Sequence, residues 1–343
     1  MSSKAVLIRS GGLGDFVLTV PLLSVLCATF PEVVLVTRPR FFSLIDDLGF
    51  SVKLVDADFF EAGKSPFLSG AKVFTFWTDD EFLSSLLESG AEEVRPLISR
   101  PDEPPHIVER MFRDSKLTPP ENFPKIPWLR TESSLGRDLW VHPGSGSSSK
   151  NVPLEVFVEL AEDWLSQSPD ARVVFSFGEA DEEVEDEFYL SSLAENERVE
   201  LVEPVSNADF VELLRERAVR FIGNDSGPAH LAACLGIPTQ VFFKTTDPEI
   251  WRPLGPGVEI LQPPSESSGI LYSTESANAS QLASITLSLT PTVPQVSLPS
   301  VDSTCTRVIA SVPKLLSRIL TLKSTRRTSA MLGKCFSKAF LSA

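Results

Sequence analysis

The chain is 343 residues long, 42% hydrophobic and 22% charged, with 46 acidic against 31 basic residues and a formal net charge of −15. That length calls for more than one hydrophobic core, because single cores stop growing at roughly 250 to 300 residues. The acidic balance argues against general nucleic-acid binding, which needs a basic footprint; no stretch reaches the roughly eighteen apolar residues of a membrane span, and no signal peptide is read.

In chain order, Ala5-Val6-Leu7-Ile8 reads as a buried parallel strand, followed by the turn Arg9-Ser10-Gly11-Gly12-Leu13-Gly14-Asp15 and a helix from Phe16 to Phe30. Gly11, Gly12 and Gly14 lack the G-x-G-x-x-G spacing of a dinucleotide fingerprint, and the next strand, Val33 to Val36, runs into Thr37-Arg38 where that fingerprint wants an acid. A hydride-transfer enzyme is therefore disfavoured. Local residues leave Asp15 two roles, a helix cap or a carboxylate presented at a strand end.

Lys72 to Phe76 predicts another strand, and the Pro-rich passage Arg100 to Trp128 then ends a first domain, with a linker near Thr131 to Arg137. After a strand at Leu139 to His142 comes Pro143-Gly144-Ser145-Gly146-Ser147-Ser148-Ser149-Lys150, with a helix signalled by Pro153. This loop lacks the Gly-Lys-Ser/Thr ending of a nucleoside-triphosphatase loop. A strand before it and a helix after it give Lys150 a place to meet phosphate oxygens, although a Gly/Ser stretch also serves as a plain connector. A strand at Arg172 to Ser176 leads into Phe177-Gly178-Glu179-Ala180-Asp181-Glu182, part of an acidic run that ordinarily marks a solvated helix face.

The richest stretch follows. The strand Val219 to Ile222 stops at Gly223-Asn224, Asp225-Ser226-Gly227-Pro228 supply turn and N-cap chemistry, and Ala229 to Leu235 form a small-residue helix closed by Gly236 and Pro238. Such a helix aims its N-terminal amides and positive dipole end at whatever sits above the strand, where open α/β sheets bind ligands. A strand at Thr239 to Phe243 completes the alternation of apolar strands and amphipathic helices that predicts parallel sheets.

Three groups of residues together resemble glycosyltransferase family 9, whose best-known members are ADP-heptose lipopolysaccharide heptosyltransferases. They are Leu7 to Asp15 with Thr19-Val20-Pro21, His142-Pro143-Gly144-Ser145-Gly146 with Lys150 and Pro153, and Asn224 to Pro238 with Trp251-Arg252-Pro253. The resemblance covers about residues 4 to 262. It implies a GT-B architecture, two doubly wound Rossmann-like α/β domains facing each other across a cleft. An acceptor-binding domain would occupy 1–135, a nucleotide-sugar-binding domain 136–262, and an atypical tail 263–343. It further implies an inverting glycosyltransferase that moves a heptose or related sugar to a lipopolysaccharide-core or similar surface glycan. Another GT-B nucleotide-sugar enzyme, epimerase-like, and a non-catalytic nucleotide-sugar binder are the alternatives.

Carried over residue by residue, the resemblance makes Asp15 the general base. Lys150, Ser145, Glu182, Asp225, Ser226, Gly227 and His230 fall on the donor side, with Glu182 on the ribose hydroxyls, and Arg9, Gly12 and Gly14 on the acceptor side. Glu182 could equally be one more solvated acid, and His230 a packing histidine. Arg38, Arg40 and Arg110 are further candidates for an anionic acceptor. The implied partners are an ADP-heptose-like donor and a lipid-linked acceptor, which would bring a cytoplasmic enzyme to the inner face of the membrane. No metal-ligand cluster and no cofactor are expected, and Cys27, Cys234, Cys305 and Cys335 lack the spacing of a disulfide framework. The tail departs from the family pattern: Ser/Thr/Pro-rich between Ser265 and Thr306, it holds eight basic and three acidic residues beyond 262, with a short basic helix predicted over Pro313 to Lys323. A diverged tail and a reading frame shifted near residue 265 both account for it.

Overall fold

The computed structural model describes residues 3–120 and 136–263; the predicted linker near Thr131, the tail after 263 and its basic helix lie outside the described residues. In chain order the first half runs β1 (Lys4–Ile8), α1 (Leu13–Thr29), β2 (Glu32–Thr37), α2 (Phe42–Leu48), β3 (Lys53–Asp56), β4 (Lys72–Thr75), α3 (Asp80–Glu88), β5 (Glu93–Pro96) and α4 (Ile107–Ser115). The second runs β6 (Asp138–His142), α5 (Leu154–Ser166), β7 (Arg172–Ser176), α6 (Glu182–Phe188), β8 (Val199–Val202), α7 (Asn207–Arg217), β9 (Ala218–Asn224), α8 (Gly227–Cys234), β10 (Thr239–Phe242), α9 (Pro248–Trp251) and β11 (Val258–Leu261).

The strands form two sheets, ordered β3-β2-β1-β4-β5 and β11-β10-β9-β6-β7-β8. Every pairing in both is parallel. The expected α/β class with two doubly wound sheets is thus present. In each sheet the chain order reverses beside the first strand, between β1 and β4 and between β6 and β9, and ligands of such sheets bind outside the strand ends at that point. β3, β5, β8 and β11 escaped the sequence reading. Their residues, such as Lys53-Leu54-Val55-Asp56 and Glu93-Val94-Arg95-Pro96, lie at or toward sheet edges, half-buried, without the continuous apolar run that marks a central strand.

Strand periodicity sorts side chains into layers. Ala5 and Leu7 face a central apolar cluster while Val6 and Ile8 face an outer one on the far side of the first sheet. In the second sheet Trp140 faces the same central cluster, and Leu139 and Val141 a separate outer one. α1 and α8 both contribute to the central cluster and pack on each other. This explains why α1 is apolar almost all round, with Phe16 to Leu23 buried without interruption: it is covered on both faces. α8 supplies small residues where the helices approach; a Cβ on Gly227 would stand 2.7 Å from Leu13 Cβ. Two polar links reinforce the contact between the halves, Arg215 with Asp47 through two bonds of 2.6 Å and Asn207 Nδ2 donating to the Arg40 carbonyl at 2.8 Å. Among the described residues no helix is long and apolar enough to cross a membrane.

Candidate functional site

The turn after β1 is organised around one carboxylate. Gly12 is the N-cap of α1, and its N–H donates to Asp15 Oδ2 at 2.9 Å. Asp15 Oδ1 accepts from Arg9 Nη2 at 2.5 Å, and a Cβ on Gly11 would overlap the Asp15 side chain. Asp15 therefore caps its helix and is held by a cation at once, with its side chain still 35% exposed. Arg9 is buried, its guanidinium 4.0 Å from the Phe76 ring centroid and its Nε without a protein partner. Burial pushes the Arg9 pKa down, Asp15 opposes that, and the charge of Arg100 adds to the lowering. Arg9 thus acts on this turn mainly through Asp15.

On the second sheet, the strand ends β6 and β9 bring a buried ion cluster together. Lys150 Nζ donates to Asp225 Oδ2 at 2.7 Å, Thr246 Oγ1 donates to the same oxygen at 2.6 Å, and His230 Nε2 lies 3.8 Å from Oδ1. Burial alone would raise the Asp225 pKa; His230, Lys150 and Thr246 outweigh it and hold the carboxyl well below the usual range. Asn224, fully buried, clamps the intervening loop at both ends: Nδ2 donates to the Pro143 carbonyl at 2.6 Å, and Oδ1 accepts from Val152 N–H at 3.2 Å. Ser145 is buried, its hydroxyl engaged inside the loop with Asn151 Oδ1 at 2.6 Å.

Ser226 is the N-cap of α8, yet its hydroxyl makes no cap bond and is buried without a protein partner, as is His230 Nδ1. The expected side-chain cap is absent, and Pro228 carries no N–H, so the amides of Gly227 and Ala229 are the first-turn donors left for a ligand.

The two turns meet. A Cβ on Gly14 would stand 2.9 Å from His230 Cδ2 and 3.6 Å from Gly227 Cα, so the Asp15 turn lies directly against the N-terminus of α8. Nearby, His106 caps α4 with its Nδ1 accepting from Val108 N–H at 3.3 Å, while Nε2 pairs with the Arg252 carbonyl at 2.9 Å, fixing the neutral Nε2–H tautomer. Burial drives the His106 pKa down to about 4.

The remaining candidates separate. Glu182 is the first residue of α6 and is exposed. Its neighbour Asp181 is the buried acid of that segment: Oδ2 accepts from Gly178 N–H at 2.8 Å and lies 3.5 Å from His142 Nε2, and a Cβ on Gly144 would overlap the carboxylate. His142 is buried, its pKa lowered by that burial against the pull of Asp181. Arg110 is occupied elsewhere, donating to the Glu103 and Pro104 carbonyls at 2.6 and 2.7 Å, and Arg38 and Arg40 are exposed. Asn224, Thr246, Asp181 and His106 were missed by sequence reasoning. Both Asn224 and Asp181 sit inside the motifs; burial sets Asp181 apart from its exposed neighbours, and two bonds to the facing loop set Asn224 apart from its buried ones. Among the described residues no group of His, Cys, Asp and Glu could hold a metal ion, and Cys27 is a free thiol.

Residues 130–276 match the model of glycosyltransferase family 9 (heptosyltransferase). A putative glycosyltransferase of Haemophilus influenzae is 30% identical over 121 residues, a match spanning about a third of each chain, 34% of both. In fold the chain is similar to E. coli ADP-heptose lps heptosyltransferase II, with a TM-score of 0.60, 17% identity and coverage of 75% of this chain and 90% of that one. E. coli heptosyltransferase WaaC with ADP is alike at a TM-score of 0.58 and 15% identity, covering 76% and 93%. These neighbours carry the GT-B architecture of two Rossmann-like domains. Sequence similarity to glycosyltransferase family 9 thus extends over residues 130–276, and three quarters of the chain share the fold of these heptosyltransferase structures.

Proposed function

We propose that this protein is an inverting glycosyltransferase moving a heptose or related sugar from a nucleotide-diphosphate donor to a lipopolysaccharide-core or similar surface-glycan acceptor. The observation that carries it is the meeting of the two turns: the turn that holds Asp15, a partly exposed carboxylate, packs through Leu13 and Gly14 against the helix N-terminus beside the Lys150–Asp225 pair. Neighbours with ADP and with an ADP-heptose analogue support the donor class.

In this reading the 1–135 half takes the acceptor and the 136–262 half the donor. Asp15 accepts the proton of an acceptor hydroxyl as that oxygen bonds to the anomeric carbon. The bond from that carbon to the diphosphate oxygen breaks on the opposite face, and the diphosphate leaves with the electron pair. Lys150 and the Gly227 and Ala229 amides meet the developing negative charge. Asp225 holds Lys150 in the loop until phosphate oxygens compete for it. Ser226 Oγ and His230 Nδ1 are buried polar groups that the donor would satisfy. Ser145 shapes the loop, and Glu182 would reach the ribose only from the rim. A lipid-linked acceptor would bring the protein to the inner face of the membrane.

The test measures ADP release from ADP-heptose and other nucleotide sugars with rough-form lipopolysaccharide as acceptor, for the full chain and Asp15→Asn. Acceptor-dependent release falling about a hundredfold or more in the variant is expected for a lost general base. Equal turnover in the two proteins would refute the role of Asp15, and release without acceptor dependence would refute transfer.

A further inference from the structure

The first sheet has its own crevice, where chain order reverses between β1 and β4, and the residue that follows β4 into it is not used by the chemistry above. Trp77 packs against the outer apolar cluster of the first sheet beside Phe60, and three further contacts fix it. Its backbone N–H donates to Thr75 Oγ1 at 3.0 Å, and that hydroxyl donates back to the Trp77 carbonyl at 3.3 Å. Its indole N–H donates to Ser10 Oγ at 2.9 Å, within the same turn as Asp15. Phe82 meets its ring edge to face, with centroids 5.1 Å apart. Despite these restraints Trp77 is only partly buried.

A large aromatic with its polar tip satisfied, its orientation pinned, part of its surface open and a direct bond to the turn that holds Asp15 is preorganised for a flat ligand. Pyranose rings fit such a surface. One face of the ring presents C–H groups with slight positive charge to the negative π face of the indole, while the hydroxyls at its edge stay free for polar partners. We propose that the Trp77 indole is the platform on which the acceptor's sugar ring stacks, so that its reacting hydroxyl is presented to Asp15. This rests on the transferase reading for the identity of the ring as acceptor. The hydrogen bond to Ser10 makes the platform and the Asp15 turn one rigid unit, setting the height of the sugar relative to the base.

The experiment is calorimetric titration of the full chain with a deacylated lipopolysaccharide-core oligosaccharide, comparing wild type, Trp77→Phe and Trp77→Leu, with ADP titration and thermal melting run on each. Oligosaccharide binding is expected to weaken about tenfold or more in Trp77→Leu and about threefold in Trp77→Phe, as loss of one aromatic contact implies. ADP affinity is expected to stay within about twofold in both, since Trp77 stands on the first sheet, away from the Lys150 cluster. Unchanged oligosaccharide affinity in Trp77→Leu overturns the platform, as does a wild type that binds ADP but no oligosaccharide. A Trp77→Leu protein that loses ADP affinity and melting temperature together with oligosaccharide overturns it too, by showing a structural role. Trp77-dependent binding in a wild type that transfers nothing would sink the transferase reading and leave the platform standing.

Discussion

Replacing His106 with glutamine isolates what a buried neutral imidazole between the two halves does to acid stability. In the folded chain the His106 pKa is about 4 because burial disfavours its charged form, against an ordinary value of 6.5. The unfolded chain therefore takes up the proton first as pH falls. Stability is complete above about pH 6.5, declines between there and pH 4, and changes no further from this group below. At pH 4.5 the imbalance amounts to about 2 to 3 kcal/mol, from two pKa steps at about 1.4 kcal/mol each less the fraction already protonated when folded. For a body of this size that lowers the melting temperature by about 5 to 10 °C. Glutamine can still donate to the Arg252 carbonyl but does not titrate. Other groups, His142 included, contribute equally to both proteins, so the difference between wild type and His106→Gln in their pH 7 to pH 4.5 shifts reports His106 alone. Differential scanning calorimetry at the two pH values measures it. Equal shifts in the two proteins would refute both the neutral state of His106 and the sign assigned to it.

Gly14→Ala places a methyl 2.9 Å from Cδ2 of the buried His230, and is expected to cost about 1 to 3 kcal/mol and most of the turnover; a melt within 1 °C of wild type, at about 2 to 4 °C per kcal/mol, would show that the turns separate freely. Lys150→Ala leaves the buried Asp225 carboxylate with only Thr246 and His230, so it is expected to destabilise by about 1 to 3 kcal/mol and to weaken ADP binding strongly; titration calorimetry with unchanged ADP affinity would remove Lys150 from the donor site. Gly144→Ala drives a methyl into the Asp181 carboxylate, and the damage is expected to shrink by about 1 to 2 kcal/mol when Asp181→Ala is combined with it. Additive effects in that denaturation cycle would mean the two residues do not share the volume.

How far the sequence reached can be judged from particular residues. Central strands such as Ala5 to Ile8 and Arg172 to Ser176 were legible because a strand buried on both faces must be a continuous apolar run. Edge strands such as β5 were not, since half-buried positions tolerate Glu93 and Arg95, which pair with each other across one face. Asp15, Lys150, Asp225 and His230 were legible through their motifs, and the structure brings the last three into one cluster. Asp181 was not, because in an acidic run of similar side chains only three-dimensional burial selects the one that is desolvated.

What the chain determined locally is therefore its alternation of strand and helix, the glycine-rich turns at strand ends and the acids and lysine placed in them. Each of these follows from hydrophobic period, turn chemistry and capping within a dozen residues. Tertiary structure decided which of those groups share a site. Lys150 meets Asp225, 75 residues on, because β6 and β9 pair side by side, whereas Gly14 against His230 and His106 against Arg252 meet because α1 and α8 bury their apolar surfaces on each other. Local interactions cannot specify such a meeting; burial of the shared central cluster, which favours one arrangement of the two sheets, does.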